Sequence, residues 1–230
     1  TLGCPATTIT QSALGGQCTA TVSVPGPLVS DPCSELVKLT HNSPYSTNTT
    51  NADGNYPVGT TTITWFATDT SSNTTTCQQV VVVKDTTAPT ITCPADATES
   101  ATVNNCSKTL ATITDPTIFD SCTPLASLTL TWTRTGSAPN SGINSVTGLT
   151  FDVGLTTVTY TVTDLAGNAA SCTFSVTILD INPPVFTLGC PATTITQSAL
   201  GGQCTATVSV PGPLVSDPCS ELVKLTHNSP

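Results

Sequence analysis

The chain has 230 residues and a formal net charge of −9, with five Lys and Arg against fourteen Asp and Glu. Five basic residues cannot neutralise a phosphate backbone or an anionic bilayer, which excludes nucleic acid and charged membrane surfaces as partners and favours dissolved cations. Charged residues make up 8% of the chain, aromatic residues 4%, and Met is absent, a composition typical of an all-β protein.

Short segments of β-branched or alternating residues follow one another along the chain. They predict strands at 19–24, 61–67, 77–83, 128–133, 156–162 and 172–178. Sequences typical of turns separate them, including LGG at 14–16, ADGN at 52–55, DTSSN at 69–73 and DLAGN at 164–168. About seven short strands per 90 residues, without a helical period, predict tandem two-sheet sandwiches of the immunoglobulin-like type.

The chain repeats itself at two levels. Residues 1–44 recur without a change at 187–230, an offset of 186 residues. Within one such period, PVGTTTITWFATD at 57–69 matches DVGLTTVTYTVTD at 152–164, so that one period contains two diverged modules. The predicted domains are therefore 1–85, 86–180, and 181–230 as the first half of a repeated first module, and we expect the chain to be a window cut from a longer array.

The eleven cysteines divide by module into two sets of four and one set of three. Such cysteine-rich, strand-rich modules are typical of an oxidising compartment, which predicts an extracellular or cell-surface location. Export must then be encoded elsewhere, since no stretch of this chain reads as a signal peptide or a membrane span. Four cysteines allow three connectivities in each module.

The modules share a CP pair at the start, a Cys after a Gly-containing turn, D-x-C in mid-module and a D-x-x-x-P linker, and the first module has the run PVGTTT…TD…N…C at 57–77. Together these features resemble the hyalin repeat, or HYR domain. The resemblance implies an extracellular, immunoglobulin-like module that occurs in tandem arrays of matrix and adhesive proteins. The second module departs from the pattern with DVGLTT and with a longer middle segment.

The resemblance also implies a disulfide pairing, because many hyalin repeats keep only the first and the last of the four cysteines. The implied bonds are two per module: Cys4–Cys77, Cys18–Cys33, Cys93–Cys172, Cys106–Cys122 and Cys204–Cys219, with the partner of Cys190 outside this window. Two disulfides would compensate for the small core of a module of this size.

Aspartates recur where modules are expected to meet. Asp85 lies in the linker VKDTTAP, and Asp120 and Asp164 lie in two loops of the second module that face the same end in a sandwich of this topology. Their carboxylates are the hard oxygen ligands that Ca²⁺ takes. The equivalent candidates elsewhere are Asp31, Asp69, Asp180 and Asp217. The alternative is that each Asp caps its own turn through Asx-type hydrogen bonds.

Weak patterns suggest glycan attachment at Asn48, Asn73 and Asn105, and an O-glycan at Thr86. His41 lies at a strand end, where we expect a solvated side chain, and no catalytic or organic-cofactor motif is present, so no enzymatic role is predicted.

The predicted function is a structural repeat of a long extracellular fibre or adhesin stalk, whose partners are neighbouring modules and other fibre chains or surface glycans. The alternative is a carbohydrate- or protein-binding module that acts through its loops. Exposed aromatic residues would favour that alternative, but Trp65 and Trp132 lie in alternating strands and are expected in the core.

Overall fold

The computed structural model describes residues 2–3, 5, 8–33, 38–137, 139–186, 196–199, 201–202, 204–208, 212, 214–219 and 226. The chain divides into two compact units. Unit 1 contains Thr1–Thr92, Thr117–Leu130 and Thr161–Ser171, and unit 2 contains Cys93–Pro116, Thr131–Tyr160 and Cys172–Pro230.

The first module consists of eight strands among its described residues. They are β1 (Leu2–Gly3), β2 (Thr8–Ser12), β3 (Thr19–Val22), β4 (Leu28–Val29), β5 (Lys38–His41), β6 (Gly54–Pro57), β7 (Gly59–Thr68) and β8 (Thr74–Lys84). One sheet has the order β2-β8-β7-β5, with β2 parallel to β8 and β8 antiparallel to β7. Strands β3 and β6 form a second, antiparallel pair, as in an immunoglobulin-like sandwich.

The second module repeats this plan. Its strands are β9 (Thr90–Thr92), β10 (Ala97–Ser100), β11 (Ser107–Thr109), β12 (Thr117–Phe119), β13 (Thr129–Gly136), β14 (Asn140–Ile143), β15 (Thr150–Asp152), β16 (Gly154–Thr163) and β17 (Ala169–Leu179), with a 3-10 turn at Leu125–Ser127. The large sheet has the order β10-β17-β16-β13-β14, and β10 is parallel to β17. Two short strands, β18 (Val185–Phe186) and β19 (Val215–Ser216), pair antiparallel further on. The predicted all-β, immunoglobulin-like fold is confirmed.

The long strands alternate buried and exposed residues, which explains why the sequence forms a sandwich. In β7, Ile63, Trp65 and Ala67 are buried in the core, whereas Thr64 and Phe66 between them are only partly buried. Trp65 is 0% exposed and its Nε1–H donates to Oε1 of the buried Gln79 on β8, 3.1 Å away. The indole therefore buries its whole ring without losing a hydrogen bond.

Unit 2 replaces this polar pair by two stacked rings. Tyr160 and Phe174 lie with ring centroids 6.0 Å apart and an interplanar angle of 13°. Trp132 of β13 is 5% exposed, and a Cβ added to Gly142 of β14 would lie 2.5 Å from the indole ring. Only glycine lets this edge strand approach the ring so closely. Both tryptophans therefore lie in the core, as predicted.

His41 is not the solvated side chain that we expected. Its ring packs edge-on against Trp65 at 5.0 Å between centroids, and Nδ1 accepts from the backbone N–H of Ser43 at 3.1 Å. Nε2 lies 2.6 Å from the carbonyl of Asn48 and 3.0 Å from that of Asn51. A half-buried histidine thus orders the loop that follows β5, because its ring contacts three backbone groups of that loop.

Over the described part of the chain, no helix has the length and apolar character required to cross a bilayer.

Candidate functional site: an aspartate and disulfide junction

Two aspartates converge where the linker leaves the first module. In unit 1, carboxylate oxygens of Asp85 and Asp120 and the Sγ of Cys122 lie within 4.8 Å of one another. Asp85 follows directly on β8, and Asp120 follows β12. Both side chains are buried, at 7% and 8% exposure. Unit 2 repeats the cluster with Asp180, Asp217 and Cys219.

Each D-x-C motif forms the same turn. The backbone N–H of Cys122 donates to Oδ1 of Asp120 at 2.8 Å, and the N–H of Thr123 donates to the same oxygen at 2.6 Å. Matching N–H to Oδ1 bonds join Cys33 to Asp31 at 2.9 Å and Cys219 to Asp217 at 2.8 Å. These are Asx-type turns, in which the aspartate positions the cysteine two residues on.

Turn capping uses only one oxygen of Asp120. Its Oδ2 is buried and has no hydrogen-bond partner among the described residues. A buried carboxylate oxygen without a donor is costly unless a cation or water satisfies it. With Asp85 beside it, this oxygen fits the ligand preference of Ca²⁺, which takes several carboxylate, carbonyl and water oxygens. The residues present therefore fit a divalent cation, and Asp85 and Asp120 are the side chains that would hold it.

The carboxylate of Asp164 does not belong to this cluster, and Asp164 is connected to it through Asn168. Asp164 accepts from Asn168 at both oxygens, from the backbone N–H at 2.8 Å and from Nδ2 at 2.8 Å. The same Nδ2 also donates to the backbone carbonyl of Asp85 at 3.3 Å. Asn168 thereby ties the linker to the loop before β17. Sequence reasoning placed Asp164 correctly at this end but missed Asn168.

The first module has the same Asx turn and the same double Asp–Asn contact at its corresponding end. Asp69 accepts from Asn73 at both oxygens, each at 2.8 Å. These hydrogen bonds, chiefly that from the Asn73 side chain, hold the pKa of Asp69 below its ordinary value of 3.8. Asp31, Asp69 and Asn73 line an open cavity of about 190 Å³.

The disulfides join one module to the next. Cys18 is bonded to Cys122, and Cys106 to Cys219, each with Cα atoms 5.1 Å apart, which is within the ordinary range for a disulfide. The predicted pairs Cys18–Cys33, Cys106–Cys122 and Cys204–Cys219 are therefore wrong, since each splits or replaces an observed pair. Cys33 and Cys204 are both exposed and unpaired in the described structure.

Strand length explains why Cys18 does not bond to Cys33. The turn before Cys18 adjoins the end of β8, where the N–H of Ala13 donates to the carbonyl of Lys84 at 2.8 Å. Asp31, two residues before Cys33, lines a cavity with residues at the start of β8. An eleven-residue strand spans roughly 35 Å, whereas a disulfide requires Cα atoms within about 7 Å.

In the second module, Cys106 and Cys122 belong to different units. In unit 2, the carbonyl of Cys106 accepts from the N–H of Val153 at 2.8 Å. In unit 1, Cys122 lies beside Thr123, whose Oγ1 accepts from the N–H of Leu165 at 3.4 Å. A sequence signal for the true pairing existed, because Asp120 was predicted at the junction and Cys122 follows it by two residues.

The remaining cysteines differ in what can be said of them. Cys93 is bonded to Cys172, the pair that the resemblance implied. Cys77 is disulfide-bonded, and its implied partner Cys4 lies outside the described residues, as does Cys190. The described bonds thus comprise one pair within a module and two between modules, which corrects the expectation of two per module.

Asn182 adds a second tie at the later junction and was missed by sequence reasoning. Its Oδ1 accepts from the N–H of Asn104 at 2.7 Å, and its Nδ2 donates to the carbonyl of Asn105 at 3.0 Å. The same side chain lies 3.4 Å from Sγ of Cys219. The linker aspartate Asp180 caps this segment by accepting from the N–H of Asn182 at 2.9 Å. The linker is thus held on both sides of the disulfide.

The candidate glycan acceptors are all exposed: Asn48, Asn73, Asn105 and Thr86. All three asparagines already use their side chains locally, and Oδ1 of Asn48 accepts from the N–H and the hydroxyl of Thr50, each at 3.0 Å. Asn73 donates its amide to Asp69, and Asn105 accepts at Oδ1 from Ser107 at 3.1 Å. Attachment at these positions stays a prediction.

Comparison with known proteins matches the two modules separately. The HYR domain family model matches residues 1–83 and 84–178. Hyalin of Strongylocentrotus purpuratus is 32% identical over 176 residues, which cover 74% of this chain and 13% of that protein. Hyalin of Lytechinus variegatus is 30% identical over 179 residues, covering 76% of this chain and 31% of that protein. The chain thus spans less than a third of either relative.

Solved structures with similar architecture include cadherin-domain proteins. A protocadherin gammaB7 EC3-6 structure covers 81% of this chain at 15% identity and a TM-score of 0.39, and it is itself covered to 49%. Human CDH23 EC21-23 covers 79% at 14% identity and a TM-score of 0.38, with 76% of that chain matched.

Proposed function

Because the chain belongs to the HYR domain family, we propose that it is a structural, non-enzymatic repeat of a long extracellular fibre or adhesin stalk. The observation that carries this proposal is the pair of disulfides between consecutive modules, Cys18–Cys122 and Cys106–Cys219. A flexible linker alone lets modules bend, whereas a covalent bond beside each linker adds a second attachment. The immediate partners are neighbouring modules, and other fibre chains are the next candidates.

The disulfides also support the proposed location. Persistent disulfides require an oxidising environment such as the cell exterior. Cys93–Cys172 lies within one module, whereas Cys18–Cys122 and Cys106–Cys219 each join two modules. Reduction would therefore remove both the stabilisation within a module and the second attachment between modules.

Peptide mapping of the non-reduced chain tests this role. We expect cross-linked peptides that contain Cys18 with Cys122 and Cys106 with Cys219, together with Cys93–Cys172 as an internal control for correct oxidation. A map in which Cys93–Cys172 is present but Cys18 is joined to Cys33 would reject the stalk built on bonds between modules.

We further propose that Ca²⁺ binds beside each of these disulfides and stiffens the junction. The support is the buried Asp85 and Asp120 pair and the partnerless Oδ2 of Asp120. The pair Asp180 and Asp217 offers a second place of the same kind. A bound cation would neutralise two neighbouring carboxylates that otherwise repel each other.

Thermal unfolding with and without chelator tests the cation. Ligand present at about 100 times its Kd stabilises the folded state by about 2.7 kcal/mol, so we expect the melting temperature to rise by several degrees in millimolar Ca²⁺. Asp120→Asn should lose the part of this increase that the Asp85 and Asp120 site contributes. Asp96→Asn is the matched control and should keep it, because Asp96 accepts from Ser175 at 2.7 Å and belongs to neither cluster. A wild-type melting curve that EDTA leaves unchanged would reject the calcium proposal.

A further inference from the structure

One end of the first module has the same parts as the end of the second module that contacts the linker. Asp31, Cys33, Asp69 and Asn73 correspond to Asp120, Cys122, Asp164 and Asn168, and both sets form the same Asx turn and the same double Asp–Asn contact.

The two ends differ in what covers them. In the second module, Asn168 holds the linker carbonyl of Asp85 and Cys122 is bonded to Cys18. Asp120 and Asp164 are consequently buried, at 8% and 7% exposure. In the first module, Asp31 and Asp69 are only partly buried, Cys33 is exposed and unpaired, and an open cavity of about 190 Å³ lies between the side chains.

The repeated copy shows what occupies this end. Residues 212–219 are identical to residues 26–33, so Cys219 stands in the same local sequence as Cys33. Cys219 is bonded to Cys106 of the second module, with Asp217 beside the linker residue Asp180. A second-type module is therefore the occupant that this cysteine accepts when one is in place.

We infer that the end of the first module formed by Asp31, Cys33, Asp69 and Asn73 is a docking site for a second-type module of another copy of this repeat, sealed by a disulfide from Cys33 to the cysteine equivalent to Cys106. The linker of that module would enter the cavity as Asp85 enters the equivalent end of the second module. This inference rests on the proposed stalk function and adds the identity of the partner.

The bond forms by oxidation of two thiols. The Cys33 thiol and the partner thiol lose two protons and two electrons and form one S–S bond. A small disulfide such as oxidised glutathione accepts the electrons and protons and is released as two thiols, through a mixed disulfide with one of the cysteines.

Two variants of the full chain test the docking site. The donor carries Cys33→Ser, Cys204→Ser and Cys219→Ser, which frees Cys106. The acceptor carries Cys204→Ser and keeps the Cys33 thiol. Both also carry Cys190→Ser, which removes that cysteine from any exchange. They are mixed in a glutathione redox buffer with the acceptor in about tenfold excess, because the donor's own residues 214–219 compete at high effective concentration.

The matched control acceptor carries Cys33→Ser and keeps the Cys204 thiol, which is also exposed. Cys204 corresponds to Cys18 and should accept a Cys122-type thiol, not a Cys106-type thiol. We expect the donor to form a mixed disulfide with Cys33 in at least tenfold higher yield than with Cys204, a ratio that corresponds to about 1.4 kcal/mol of docking free energy.

Equal yields with the two acceptors would overturn the inference, because exposure alone would then explain the reaction. No mixed disulfide at Cys33 would also overturn it, provided that the donor retains Cys18–Cys122 and Cys93–Cys172 in its peptide map. Those two bonds report the fold and the proposed stalk function separately. If Cys18–Cys122 is absent from the wild-type chain, the stalk proposal fails, and if it is present while Cys33 is unreactive, only the docking site fails.

Discussion

The two carboxylate oxygens of Asp120 lie in different surroundings. Asp31, Asp120 and Asp217 cap their own turns through one oxygen, which is the Asx alternative that we kept open. The second oxygen of Asp120 is buried without a partner, which is the feature that favours a cation. Turn capping and cation binding are therefore compatible, because the two oxygens of one carboxylate point to different groups.

The Asp69–Asn73 contact provides a prediction about pKa. Hydrogen bonds from the Asn73 side chain and backbone favour the charged form of Asp69 and lower its pKa below 3.8. The stability that this contact contributes is present above the unfolded pKa and is lost as the pH falls through the lower folded pKa. In Asn73→Ala we expect the pKa of Asp69 to rise towards 3.8 in a carboxyl NMR titration.

Asp96 is the control for that titration. The backbone N–H of Ser175 lowers the pKa of Asp96 in the same direction. Its pKa should stay low in Asn73→Ala, since it makes no contact with Asn73. A pKa of Asp69 that does not move when the Asn73 amide is removed would show that the backbone bond alone is responsible.

At the level of elements, the paired long strands of each module carry different core pairs at one position. In the first module β7 and β8 contribute Trp65 and Gln79, and in the second β16 and β17 contribute Tyr160 and Phe174. The alternation that predicted these strands identified Trp65 as a core residue. The alternation did not predict a buried glutamine beside Trp65. The burial of Gln79 is explained only by its amide oxygen, which accepts the indole N–H of Trp65.

Gln79→Leu should therefore destabilise the first module although it adds apolar volume of similar size. The substitution leaves the buried Nε1–H of Trp65 without an acceptor, which costs about 1 to 3 kcal/mol. Denaturant unfolding followed by tryptophan fluorescence measures the change. Gln78→Leu, on the exposed side of the same strand, is the control and should change the free energy of unfolding by less than about 0.5 kcal/mol. Similar losses in both variants would contradict the role of the buried hydrogen bond.

Strand positions and module type could be predicted from local patterns, whereas disulfide partners could not be predicted from the same information. Periodicity places Ile63 and Trp65 on the inner face without reference to any other module. The partner of Cys18 depends on which end of a module each loop occupies and on what lies beyond that end. The resemblance implied pairs within a module and so could not identify Cys122, which belongs to the next one.

On the scale of the whole chain, the two bonds between modules overlap along the sequence, since Cys18–Cys122 encloses Cys106 and Cys106–Cys219 encloses Cys122. A pull applied at the two ends is therefore transmitted through residues 1–18, then backwards through 106–122, and finally through 219–230. Residues 123–218 lie off this route as long as both bonds persist.

Single-molecule stretching would show this. Fully extended chain measures about 3.4 Å per residue, so the oxidised chain should extend to roughly 160 Å and the reduced chain to roughly 800 Å. Cys93→Ser with Cys172→Ser is the control and should leave the oxidised length unchanged, because that bond is not on the route. An oxidised chain that unravels to the full length would contradict the pairing.

The overlap of the two disulfides has a mechanical consequence for a stalk built from such modules. In each module, tension would pass through one segment of the kind formed by residues 106–122, entering at the later cysteine and leaving at the earlier one. The core strands β16 and β17 would bear none of this tension. Stretching could then denature a module without lengthening the stalk appreciably. Such a tether keeps its reach under strain and fails by reduction of sulfur bonds before it fails by unfolding.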